Sequence, residues 1–220
     1  MTYELFLVLS RELSSFFKGG KTGAILLLFT AFVWSGFIAL RMSSSLAVEG
    51  VLWILFFSFV ITAHFTTPSF VRERMAGTME ILCISGISRR AILGGKLLFC
   101  CLAATSVGAL SLSAVFGIHG MIFSSPPPLS FGAAFAFLCI ANVLLVSAGG
   151  FFSTILTRPR LVQFATLLLL FALSFLYLFY EFFFPEHTLL LYGVSMLAIS
   201  CAAVVGTDRL FQSEKNCSAP

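Results

Sequence analysis

Charge is the scarcest commodity in this chain of 220 residues: only 10% of it is Asp, Glu, Lys or Arg. A water-soluble domain carries roughly 25% charged residues. With 59% hydrophobic residues and a mean hydropathy of +1.05, an ordinary soluble fold is excluded and an integral membrane protein is indicated. Cysteine is present but unpatterned. None of the six forms a C-x-x-C pair or a zinc-like spacing, so we expect Cys100, Cys101, Cys139 and Cys201 to behave as small apolar side chains. No Gly-x-Ser-x-Gly, His-Glu-x-x-His or paired aspartate occurs, which leaves no support for an intramembrane enzyme and no catalytic residue to name. The closest approach to a phosphate loop is Gly19-Gly20-Lys21-Thr22, but Ser15 stands where the leading glycine belongs. A basic start followed by an apolar run, as in a cleavable leader, is also missing: the first cation is Arg11.

The apolar residues fall into runs of roughly 20, the length a helix needs to cross a bilayer. Six spans are expected, at about 22–42, 49–69, 93–118, 131–156, 161–181 and 188–206. The expected fold is an all-α polytopic membrane protein, because only internally bonded backbone is tolerated in lipid. Twelve of the 13 Lys and Arg lie in one alternate set of connections, and only Arg41 lies in the other. By the positive-inside rule this places both termini in the cytoplasm. The net charge of +4 is then a consequence of topology rather than a sign of nucleic-acid binding. Residues 2–20 are too short and polar to span. Leu5, Val8, Leu9, Leu13 and Phe16 recur at helical spacing, which predicts an amphipathic helix lying in the inner interface. Ser124-Ser125-Pro126-Pro127-Pro128 and Arg158-Pro159-Arg160 are expected to be turns. The first 210 residues read as one domain and 211–220 as a polar, disordered tail.

One stretch stands apart. Arg72-Glu73-Arg74-Met75-Ala76-Gly77-Thr78-Met79-Glu80-Ile81-Leu82, with Ile87-Ser88-Arg89-Arg90 and Gly94-Gly95-Lys96 beyond it, holds five of the 13 cations and two of the nine acids. Met75, Met79 and Leu82 make a stripe at i, i+4, i+7, so a short amphipathic helix over about 70–86 is expected under the bilayer. From the residues alone, a docking element and a basic loop that merely sets topology are equally good readings.

The stretch resembles the signature loop of type-2 ABC transporter permeases, in the matches Gly77, Thr78, Glu80, Leu82, Ser88, Arg89, Gly95 and Lys96. Ser10-Arg11-Glu12-Leu13 resembles the same family's N-terminal interfacial helix, and six spans agree with it. A proline often precedes the Ile-Ser-Arg element in that family, and Gly86 stands near that place here. The resemblance implies a bacterial inner-membrane exporter subunit that does not itself hydrolyse ATP. Its coupling helix would dock a separate ABC ATP-binding subunit, which binds ATP-Mg, through Arg72, Glu73, Arg74, Met75, Gly77, Thr78, Met79, Glu80, Leu82, Ser88 and Arg89. A second copy or a sister permease would complete the pathway, with the lipid bilayer as surroundings. Among the polar groups in the spans, His64, Asn142, Tyr180 and Glu181 are candidates to line that pathway. Two other readings stay open: a scaffold or anchor subunit of a gliding or secretion machine, and a haem-exporter-type subunit of cytochrome c maturation. The last would use His119 or His187, although no metal-ligand cluster is expected.

Overall fold

A computed structural model describes residues 2–18, 21–41, 47–75, 87–123, 129–156 and 158–213. All regular structure among them is helical: α1 (Thr2–Lys18), α2 (Lys21–Arg41), α3 (Ala47–Thr66), a π-helical turn Thr67–Arg72, the short α4 (Glu73–Met75), α5 (Arg89–Ile122), α6 (Phe131–Ile155), α7 (Pro159–Phe183) and α8 (Thr188–Ser213). Five stretches are long and apolar enough to cross a membrane: Gly50–Val71, Arg90–Ile122, Phe131–Ile155, Pro159–Phe183 and Thr188–Leu210. The described apolar part of α2, Leu27–Leu40, is shorter. The architecture is that of an all-helical, membrane-spanning protein.

Several boundaries move from where composition put them. The second expected span, 49–69, does not stop cleanly, because Pro68 sits at the start of the next turn. Proline has no N–H to donate and crowds the carbonyl four residues back, and here the chain widens into π-helix for one turn instead of breaking. The third expected span, 93–118, is the 34-residue α5, about 51 Å long at 1.5 Å per residue, more than a hydrocarbon core requires. Helix α8 continues through Ser213, into the stretch expected to be a disordered tail. The two turns flanking α6 and α7 obey local rules. Ser130 caps α6 by accepting from the Ala133 N–H at 3.3 Å, and Pro159 opens α7, where a missing N–H costs nothing. The triple-proline turn, the Gly19-Gly20 turn and residues 76–86 of the expected coupling helix lie outside the described residues.

Helix α6 is the hub of the packing, with Leu138, Ala141, Leu144 and Leu145 all at or near zero exposure. Between helices in lipid, small residues permit the close approach that hydrophobicity alone does not drive. A Cβ added at Gly149 would lie 3.3 Å from the Thr66 hydroxyl on α3, and one at Gly108 of α5 would lie 2.8 Å from Leu138. Two apolar clusters result. One joins α3, α5, α6, α7 and α8 around Leu55, Leu138, Leu144, Tyr177 and Tyr192. The other joins α2, α3 and α5 around Ile38, Ile61, Phe65 and Phe99, and Phe16 of α1 packs against it. The hydroxyls of Ser35 on α2 and Ser111 on α5 lie 2.9 Å apart, each within reach of the Ala31 carbonyl, so one can donate to that carbonyl while the other donates across the pair.

Candidate functional site

Helix α1 runs beside the start of α5 in the same direction, and contacts recur turn by turn. The Ser88 hydroxyl donates to Glu4 at 2.6 Å. A Cβ at Gly94 would lie 3.6 Å from Leu5, and one at Gly95 would collide with Val8 at 2.8 Å. Val8 and Ile92 form a small buried cluster of their own. Gly95 thus lets the α1 backbone settle onto α5, while a side chain at Gly94 would make only an ordinary contact. The face of α1 that faces protein therefore contains Leu5, Val8, Leu9, Glu12 and Phe16. This corrects the expected interfacial stripe in two ways. Leu13 is 49% exposed and belongs to another face, alongside Tyr3 and Phe6, and a carboxylate sits in the middle of the packed one.

That carboxylate meets Lys96, which is fully buried. The Lys96 ammonium uses all three of its protons: Glu12 Oε1 at 2.7 Å, the Ser69 carbonyl at 2.8 Å and Glu73 Oε2 at 2.6 Å. The Ser69 hydroxyl lies 3.4 Å from Glu12 Oε2, and Arg11 approaches Glu73 Oε1 at 3.9 Å. One buried cation therefore joins three segments: α1, the π-helical turn with α4, and α5. An ammonium taken out of water is tolerated only when charge and hydrogen bonds are both compensated, and here they are. At the edge of the junction, the Ser88 hydrogen bond holds the Glu4 carboxyl below its ordinary value.

Of the residues expected to dock a partner, Glu73 is engaged inside this junction, Ser88 holds Glu4, and Met75 is 66% exposed. Arg72 lies in the π-helical turn, Arg74 in α4 and Arg89 at the start of α5. Gly77, Thr78, Met79, Glu80 and Leu82 lie outside the described residues. The expected pathway residues are not brought together. His64 is exposed on α3 and meets Phe65 edge-on. Asn142 is buried on α6 and donates to Thr105 at 3.4 Å. At the far end of α7, Tyr180 bonds Ser195 of α8 at 2.8 Å and Glu181 is half-buried. Among the described residues no three His, Cys, Asp or Glu side chains cluster as a metal site. His119 is buried against Phe123, and His187 is exposed.

Two features escaped the sequence. Glu12 read only as a polar residue of the face opposite the apolar stripe and as part of the Ser10-Arg11-Glu12-Leu13 resemblance, and the Ser69 carbonyl carries no sequence signal. The other is an open cleft of about 630 Å³ between α2, α3 and α7, lined by Trp34, Leu52, Trp53, Phe56, Leu170, Phe171 and Ser174. Trp34 and Trp53 lie 5.8 Å apart within it, and Phe37 meets Trp53 edge-on at 5.0 Å. None of the four expected pathway residues lines it. Comparison with family models, curated proteins and solved structures produced no match.

Proposed function

We propose that this chain is the permease subunit of an ABC exporter in a bacterial inner membrane, with six spans, both termini cytoplasmic, and ATP hydrolysis confined to a separate subunit. The observation that carries the reading is the Lys96 junction. The chain that leads into Gly77-Thr78-Met79-Glu80 starts at a carboxylate gripped by α5, beside a second carboxylate from α1. A push on the motif would therefore bear on three elements together, and along α5 on most of the membrane's thickness. A loop that served only to set topology has no need of such an anchor. The aromatic cleft supports an apolar cargo, taken up where α2, α3 and α7 face a second copy or a sister permease.

The test is co-purification. Glu80→Arg, or scrambling Gly77–Leu82, is expected to abolish association with an ATP-binding subunit while leaving the protein in the membrane. An ATPase that co-purifies undiminished with these variants would overturn the reading. Topology is checked with membrane-impermeant thiol reagents on a cysteine-free background. Met121→Cys, 88% exposed at the far end of α5, should label from outside the cell and Ser88→Cys only after lysis.

A further inference from the structure

We propose that Ser58, Thr105 and Asn142 form a buried site for a single water molecule, which joins α3, α5 and α6 near the middle of α6. Ser58 and Asn142 are fully buried. The Ser58 hydroxyl and the Asn142 amide oxygen find no hydrogen-bond partner among the described residues. Buried polar atoms are nearly always paired, with protein or with ordered water. Hydroxyls elsewhere in the bundle are satisfied locally: Thr62, Thr66, Ser147 and Thr166 each donate to the carbonyl four residues back, at 2.6–2.8 Å. Ser58 makes no such bond. The Asn142 amide nitrogen donates to Thr105. Turning that amide over would leave its nitrogen unpartnered in place of its oxygen, so the need does not depend on its orientation.

The unpaired groups lie at one level. Helices α3 and α6 run in the same direction: Ile54 and Leu138 line one small void, and farther along both helices the Thr66 side chain lies against Gly149. Ser58 stands four residues beyond Ile54, and Asn142 four beyond Leu138, so both sit one turn past that void on the facing stripes. Helix α5 runs the opposite way and reaches the same level, since Gly108 packs on Leu138 and Thr105 accepts from Asn142. The set is complementary to water. It offers an amide oxygen that can only accept and two hydroxyls that each have a proton to donate. Water donates and accepts, and a buried one makes about three such bonds. No acid occurs on these turns of α3, α5 or α6, so a cation in the same place would go uncompensated. The site does not rest on the exporter reading.

The chain has two asparagines, Asn142 and Asn216, so Asn216→Gln leaves Asn142 as the only carrier of an asparagine isotope label. The full chain with this change, side-chain-labelled and held in lipid bilayers, tests the site by water-edited solid-state NMR. Magnetisation should pass from water to the Asn142 amide, and a soluble gadolinium chelate should not quench the signal. Ser58→Val removes one partner and fills the space, and it should abolish the transfer. Thr105→Val keeps the shape and removes only the hydroxyl. It should weaken the transfer, and it keeps the test available if Ser58→Val does not fold. Absence of transfer in the parent protein, or transfer that these variants leave unchanged, would overturn the proposal. So would quenching by the chelate, which would mark an open aqueous passage in place of one enclosed water.

Discussion

Replacing Lys96 by methionine removes one charge and three hydrogen bonds while conserving most of the side chain's bulk. What remains is Glu12, its side chain 7% exposed, facing Glu73 at 21%. Deleting one partner of a buried ion pair costs about 3–5 kcal/mol, because the surviving charge is left uncompensated. Glu73 keeps some water and the neighbouring Arg11, which places the expected loss near the lower end. A cost of about 3 kcal/mol is roughly a hundredfold shift toward the unfolded state. The triple variant Lys96→Met, Glu12→Met, Glu73→Met should recover most of it, since replacing a whole buried charge group by apolar residues of similar volume is often nearly neutral. Equilibrium unfolding in mixed micelles of rising dodecyl sulfate content, followed by Trp34 and Trp53 fluorescence, reads both. If Lys96→Met falls within about 1 kcal/mol of the parent, or the triple variant is no better than the single, the junction is not a compensated buried charge and the reasoning fails.

Gly95→Ala drives a Cβ against Val8 at 2.8 Å and the Leu5 carbonyl at 3.3 Å, so the same titration should show a loss of about 1–3 kcal/mol. Gly94→Ala, with only Leu5 at 3.6 Å, should change stability by less than about 0.5 kcal/mol; equal losses would mean that α1 is not seated where described. Ser111→Ala leaves Ser35 on its own helix's carbonyl and is expected to cost only about 0.6 kcal/mol, the usual worth of such a bond between spans. The Glu4 carboxyl, held below its ordinary 4.5 first by Ser88, favours the folded state above that value and loses the contribution as pH falls through its lowered titration point. In Ser88→Ala, carbon-detected titration of labelled glutamate should show the Glu4 midpoint rising toward 4.5; no movement would separate the shift from the hydrogen bond.

Helix positions were legible because lipid imposes length and closure: α6 and α7 begin and end within two residues of where apolar runs and turn prolines put them. The charge junction was legible only in fragments. Lys96 read as a cation of the inner side and as a match in the family resemblance, since composition cannot tell a snorkelling lysine from one whose partners lie elsewhere in the chain. Its partner Glu12 is 84 residues away, and no local period reports a contact at that range. The amphipathic pattern of α1 was correct as a pattern but was assigned to lipid. A helix squeezed between protein, bilayer and water has three faces, and a two-sided moment cannot separate them. Pro68 was visible, but not that the chain would accommodate it with a wider turn. The aromatic cleft needs three helices brought side by side, which no local pattern reports.

The seating of α1 on α5 also bears on how the protein is made. Helix α1 leaves the ribosome before α5, so its two anchors, the Gly95 surface and Lys96, exist only after α2, α3 and the segment beyond have been synthesised. Until then Glu12 lacks the Lys96 ammonium, and water is the least costly place for it. A helix made before its anchors is thus seated late. A chain in which Lys96 has not yet reached its depth would leave α1 loose at the membrane surface, a feature by which quality-control proteases can tell unfinished copies from finished ones.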